Sequence, residues 1–212
     1  TFYPLEVGVN PGSGSILTID GKDYNIHTSI DEKSSDCFKQ KLDPLFELFI
    51  FGAEHDSVVL AEIASKLGWR ITLIAPADEQ KTIEDFKGAS SLLTPLFSEV
   101  GNLPIHEKSA VILMTHSISK DVQYLLELTE KRPAYIGLLG PAHRRERLIE
   151  QVLEFKPETD DTFIDLLRGP AGINIGAISA EEIAISIISE ILAVTRSAEL
   201  ISLKDKSGAI HD

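Results

Sequence analysis

Three short stretches of this 212-residue chain place reactive side chains directly behind apolar runs. Leu48–Phe51 is followed by Gly52-Ala53-Glu54-His55-Asp56-Ser57. Ala110–Thr115 runs straight into His116-Ser117, and Ala134–Leu139 into Gly140-Pro141-Ala142-His143-Arg144-Arg145. His55 has the chemistry of a ligand donor or an acid/base, or serves only as a polar helix-capping residue. His116 stands behind a buried run, where side chains point into a crevice. His143, Arg144 and Arg145 open a helix, so helix dipole and guanidinium would together suit an anion. For Arg145 and Arg147 a solvated basic face is the alternative.

Other chemistries find no support. The six histidines are scattered, with no H-x-x-x-H or H-x-E pair, so no metal site is expected. Neither a G-x-S-x-G elbow nor a P-loop occurs, which disfavours hydrolase and NTPase readings. GSGS at Gly12–Ser15 reads as turn chemistry, since no strand feeds it and no helix leaves it. No residue is assigned a catalytic role.

The elements that must carry these residues follow from hydrophobic spacing. Leu48–Phe51 is a short run suited to a strand buried on both faces. Helical spacing through Val58, Val59, Ala61, Ile63, Ala64 and Leu67 comes next, closed by Gly68 as a C-cap glycine. Ile71–Ala75 is a second strand, completing a βαβ unit. Further strands are expected at Ala110–Thr115 and Ala134–Leu139. Helices are expected over Ser119–Lys131, Ala142–Phe155 and Ser179–Thr195, the last with a Ser179/Glu182 capping box and deep burial. Glu79–His106 is read as short helices and excursions, and Leu166–Ala177 as a glycine-rich stretch. The fold class is α/β: a Rossmann-like, doubly wound parallel sheet with a short N-terminal β-hairpin lead-in. Its ligand crevice would lie outside the carboxyl ends of the strands.

The glycine turn departs from a dinucleotide fingerprint, G-x-G-x-x-G/A. Gly52 keeps the first glycine, but Glu54 takes the second, where a carboxylate would crowd and repel a phosphate. The acidic ribose contact, expected about 20 residues on, falls at Ala75, with Asp78 three residues late. Both substitutions weigh against NAD(P).

A net charge of −13 argues against nucleic acid or an anionic membrane as partner. No run approaches a transmembrane span of ~20 apolar residues. A single cysteine, Cys37, excludes an internal disulfide and suits a reducing compartment, so a cytoplasmic location is expected. A start at Thr1 suggests a processed or truncated piece of a longer protein. Residues 1–45 read as hairpin and linker: Ser15–Ile19 and Lys22–His27 flank the Asp20-Gly21 turn, and the charged stretch Asp31–Lys41 reads as a loop.

From about Lys41 to Arg196 the chain resembles the C-terminal Rossmann domain of the xanthine dehydrogenase accessory proteins (XdhC/CoxI). The motifs are FGAEHDS…LGWRIT at Phe51–Thr72, MTHS at Met114–Ser117, AYIGLLGPAHRRERL at Ala134–Leu148, and GPAGINIGAISAEEIAISIISEILAV at Gly169–Val194. All four occur in the family's order. The domains are accordingly 1–45, a Rossmann domain over 46–200, and a tail at 201–212.

The resemblance implies binding, protection and insertion of a molybdopterin-type cofactor for a xanthine dehydrogenase-like molybdoenzyme, without turnover of xanthine. By matched positions, Gly52, Ala53, Glu54, His55, Thr115, His116, Gly140, Arg144 and Gly172 would line the cofactor site. Glu54 replaces the family's second glycine, and Ala75-Pro76-Ala77 its Asp-Asp-Arg. The family's N-terminal domain, with its Gly-Cys motif, has no counterpart in these residues. Two other readings stand beside this one: an NAD(P)-dependent oxidoreductase, and a ligand-free binding or oligomerisation module. A homo-oligomer is expected, with the helix at Ser179–Thr195 a candidate interface.

Overall fold

The computed structural model describes residues 45–207 throughout and, before them, the strand segments 5–10, 14–19, 22–25 and 38–42. The chain divides into two compact units, Thr1–Leu45 and Phe46–Asp212.

In the first unit, β1 (Leu5–Asn10), β2 (Gly14–Ile19), β3 (Lys22–Asn25) and β4 (Phe38–Leu42) form an antiparallel sheet in the order β3-β2-β1-β4. The expected hairpin is β2–β3, with Ile19 opposite Lys22. Its Asp20-Gly21 turn, Cys37 and the Gly12-Ser13 half of GSGS lie outside the described residues. Two strands go beyond the expectation. LEVGVN becomes β1, and part of the charged stretch read as a loop, Phe38–Leu42, pairs with β1 through Val9 and Phe38. Backbone ladder bonds are indifferent to side-chain charge, and F-K-Q-K-L already has the period of two that a strand requires.

The second unit is a six-stranded, all-parallel sheet in the order β10-β9-β8-β5-β6-β7. Its strands are β5 (Glu47–Phe51), β6 (Arg70–Ile74), β7 (Ser91–Leu93), β8 (Ser109–Leu113), β9 (Tyr135–Leu138) and β10 (Leu167–Arg168). The helices are α1 (His55–Ser65), α2 (Ile118–Leu128), α3 (Ala142–Phe155), α4 (Asp161–Leu166) and α5 (Ala180–Thr195). Strand order reverses between β5 and β8, the switch point of a doubly wound sheet.

Alternation within each apolar run explains why the strands look continuous. Leu48, Ile50, Ala110 and Ile112 meet the core beneath α1 and α5. Phe49, Phe51, Val111 and Leu113 meet the opposite core beneath α2, α3 and α4. Both faces are covered, so nearly every position must be apolar. Each buried Leu, Ile or Phe contributes about 1.5–3 kcal/mol of transfer free energy.

The helix ends obey the sequence signals at two places. Pro141 is the N-cap of α3, and Ser179 caps α5 with a complete capping box. Glu182 Oε2 accepts from the Ile178 N–H at 2.6 Å and the Ser179 N–H at 3.0 Å. These two backbone donors, Ile178 first, hold its carboxyl below the usual carboxylate range. A lowered native pKa stabilises the fold above the unfolded value, and that stability is lost as pH falls through the native one. Glu182→Gln is therefore expected to melt lower than the native chain at neutral pH. The gap between the two should close as melting curves are taken down into the acid range.

Four elements differ from the sequence reading. Within Glu79–His106, two 3-10 turns (Ile83–Asp85, Phe97–Asn102) match the expected short helices, but they flank β7. That three-residue strand is too short to show a period. It is held by β6 through bonds from Ser90 N to Ile71 O and from Ala75 N to Leu93 O. α4 and β10 likewise escape detection by their brevity. α5 buries Ala184, Ser186, Ile187, Ile188 and Ile191, yet Ile185 is 49% exposed. The expected deep burial is thus corrected to one covered face, the face that packs on α1 and the sheet.

Candidate functional site

The switch point brings the β5–α1 turn against the end of β8. Gly52 has φ +132°, and a Cβ there would lie 2.7 Å from Met114 O and 2.9 Å from its carbonyl carbon. Its N–H donates to Ile74 O at 2.9 Å, while Met114 N donates to Phe51 O at 2.9 Å. Glycine is thus required by the close approach of three strand ends. Ala53 is buried behind it, and exposed Glu54 is the N-cap of α1, with no side-chain capping bond. Ser57, at the fingerprint's third small position, is fully buried, and its Oγ has no partner. A small residue there lets α1 come close to the sheet.

Three residues from elsewhere join this turn. The Lys81 ammonium, in the loop after β6, donates to the Ala53 carbonyl. His116 Nε2 lies 3.8 Å from Asp56 Oδ2 across the switch point. Glu181, on the first turn of α5, has its carboxyl held down chiefly by its own backbone N–H and the Ser179 hydroxyl, with His55 adding a smaller electrostatic pull. The rim therefore mixes an ammonium and two imidazoles with the carboxylates of Glu54 and Asp56, instead of presenting donors alone.

His116 has φ 56°, a left-handed conformation that non-glycine residues adopt rarely. Beside it, the Thr115 hydroxyl donates to Asp121 Oδ1 at 2.6 Å and accepts from Ser117 N at 3.2 Å. Asp121 is fully buried on the first turn of α2, and its Oδ2 accepts from Arg144 Nη2 at 2.7 Å. Burial, then the Asp121 charge, pushes the neighbouring Tyr124 phenol up to about 12. Arg144 fills the space that a side chain at Gly140 would need: a Cβ there would lie 2.6 Å from Arg144 Cδ. Arg144 Nε is buried without a partner.

The structure thus sorts the residues named from sequence. Gly52, Ala53, Glu54, His55 and His116 gather at the switch point. Thr115, Gly140 and Arg144 meet behind it through Asp121, so the Arg144 charge is already engaged. Arg145 Nε donates to Leu167 O at 2.7 Å, which spends it on the β10 strand, whereas His143 and Arg147 are exposed. Gly172 lies against α5: its N–H donates to Glu190 Oε2 at 2.7 Å, beside the Tyr135 hydroxyl at 2.6 Å on the same oxygen. Burial and that hydrogen bond to Glu190 push the Tyr135 phenol far above its ordinary range. Sequence reasoning passed over Lys81 and Asp121. An acidic first-turn residue was the one available signal for Asp121, and Lys81 had none. Among the described residues, no three His, Cys, Asp or Glu side chains cluster as a metal site.

Residues 48–191 match the family model described as the XdhC Rossmann domain. A Bacillus subtilis protein, named as a probable xanthine dehydrogenase subunit, is 27% identical over 177 residues, 83% of this chain and 51% of its own length. An Escherichia coli protein named molybdenum cofactor insertion chaperone PaoD is 23% identical over 71% of this chain and 41% of its own. A crystal structure described as a xanthine dehydrogenase from Bacillus halodurans aligns with a TM-score of 0.72 at 26% identity, covering 94% of this chain and 62% of that one. The chain thus spans about half the length of the first relative, 51%, and less of the second, 41%.

Proposed function

This chain belongs to the XdhC family, and on that premise we propose that its switch-point crevice binds a molybdopterin-type cofactor for insertion into a xanthine dehydrogenase-type molybdoenzyme. It acts as an accessory factor and not as the hydroxylase. The observation that carries this reading is the mixed rim. A pterin ring has both hydrogen-bond donors and acceptors on its edge, so acceptors such as Glu54 and Asp56 and donors such as Lys81 and His116 each find a partner. A dinucleotide pyrophosphate needs donors only, and Glu54 stands where its closest approach would be. Ala75 is buried and its methyl side chain offers no acceptor at the ribose position.

The residues that would hold the cofactor are Gly52, Ala53, Glu54 and His55 on the turn, Lys81, and His116. The Lys81 ammonium suits its phosphate. Once delivered, the cofactor supplies the redox-active molybdenum centre of the client enzyme. Thr115, Gly140 and Arg144 serve the site from behind, through Asp121. The same reading makes the chain a cytoplasmic homo-oligomer. Ile178, 89% exposed, and Ile185 are available for a contact between copies, and light scattering on the purified chain tests it. Among the described residues no helix is long and apolar enough to cross a membrane.

Equilibrium titration with molybdopterin tests the proposal. His116→Gly keeps the loop, because glycine takes a φ of 56° freely. It should melt no lower than the native chain yet bind about tenfold more weakly, a loss of about 1.4 kcal/mol. Lys81→Ala should weaken binding in the same sense. No binding by the native chain would sink the reading. Stabilisation by NAD+ instead would favour an oxidoreductase, near 2.7 kcal/mol at about a 100-fold excess over Kd.

A further inference from the structure

We propose that Asp121 is a positioning residue whose buried carboxylate holds His116 in its left-handed conformation at the mouth of the crevice. The inference rests on the reading of that crevice as the cofactor site.

Among the described residues only His116 and Ser197 combine a side chain with positive φ, at 56° and 51°. Ser197 closes the end of α5, with Ala198 N bonded to Ala193 O at 2.8 Å, and helix ends commonly use that conformation. His116 has no such reason. It sits between the end of β8 and Ser117, the N-cap of α2. A strained residue persists only where its surroundings over-determine it.

Asp121 supplies that constraint through its carboxylate. Its Oδ1 accepts from the hydroxyl of Thr115, the residue before His116, at 2.6 Å. On the other side of His116, the Ser117 carbonyl is held by the first backbone bond of α2, from Asp121 N at 3.0 Å. The Thr115 hydroxyl closes the loop by accepting from Ser117 N at 3.2 Å. Asp121 is itself pinned by Arg144 Nη2 at 2.7 Å, and Arg144 is seated against Gly140. Helix capping does not account for this arrangement, because the Ser117 hydroxyl already accepts from Lys120 N. Nor does the backbone, since glycine at position 116 would take the same φ without strain. What remains is the imidazole. The network keeps it beside Asp56, 3.8 Å away, and 58% exposed to a ligand.

The test compares Thr115→Val with Thr115→Ser in the full chain. Two readouts are taken: the Cα and carbonyl chemical shifts of His116, which report its φ, and the Kd for molybdopterin. The valine variant should move the His116 shifts toward negative φ and raise Kd about tenfold. The serine variant, which keeps the hydroxyl, should restore both. In a His116→Gly background, Thr115→Val should change Kd less than twofold, because the residue being positioned is gone. A lower melting temperature with unchanged His116 shifts and Kd would overturn the proposal and leave Thr115–Asp121 a purely structural pair. If Thr115→Val does not fold, Asp121→Asn with Arg144→Gln keeps neutral hydrogen-bonding groups in place and carries the same readouts. Should the native chain bind no molybdopterin, the crevice reading fails, while the His116 shifts still decide whether Asp121 sets this loop.

Discussion

Gly52→Ala is expected to destabilise the Rossmann unit by about 3–5 kcal/mol, the sum of a forced backbone and an overpacked strand junction. The obstacle is backbone on both sides. A Cβ at Gly52 would meet Met114 O at 2.7 Å, and the φ of +132° is itself one that L side chains avoid. No rotamer change can relieve a clash with a backbone carbonyl at the end of a central strand. A natural control is Gly176, with φ +71° and nothing within 4 Å of its added Cβ. Gly176→Ala carries the conformational strain alone and should cost about 1 kcal/mol. Urea unfolding of the two variants against the native chain separates the terms by their midpoints at constant m. Equal, small losses would mean that β5 and β8 do not approach as described. A domain typically holds about 5–15 kcal/mol in all, so Gly52→Ala should leave little margin for the folded state.

Asp121→Ala should cost a similar amount, about 3–5 kcal/mol, for a different reason. It leaves the Arg144 guanidinium, whose side chain is only 16% exposed, facing a cavity with no counter-charge. Removing both partners is a different experiment. Asp121→Ala with Arg144→Met deletes the unpaired charge and fills part of the space, and buried ion pairs replaced by apolar groups are often neutral. The double variant is therefore expected to recover most of the lost stability while the His116 loop remains unpinned. Chemical denaturation of the two singles and the double gives the coupling directly. A loss below about 1 kcal/mol for Asp121→Ala, the range of an exposed pair, would show that the contact is solvated.

The crevice was legible from sequence in outline and not in its contacts. The glycine turn, His55 and His116 could be placed together because each follows an apolar strand run. Ligand sites of a doubly wound sheet lie where such runs end at the switch point. Glu54 and Ala75 were visible as departures from a dinucleotide site for the same reason. Gly172, grouped with them by motif, proved to spend its N–H on Glu190 beside α5. Its neighbour in the fold was set by how α5 lies against β9 and not by the glycine pattern itself. Asp121 and Lys81 were passed over, although one is the hub behind His116 and the other touches the turn.

The sequence by itself determined the longer strands and helices of the Rossmann unit, where α3 and α5 begin, and that the sheet is buried on both faces. Those are local properties, carried by hydrophobic period, capping residues and glycine within a few positions of where they act. Only the tertiary structure decided that Thr115, Asp121 and Arg144 form one buried network, that Lys81 reaches Ala53, and that His116 adopts a left-handed conformation. These partners are 6, 23 and 28 residues apart. Periodicity has no range beyond its own element. Which side chains meet across such gaps is set by strand order and register, in which β8 lies between β5 and β9. The charge of Asp121 could stay buried only because that order delivered Arg144 to it.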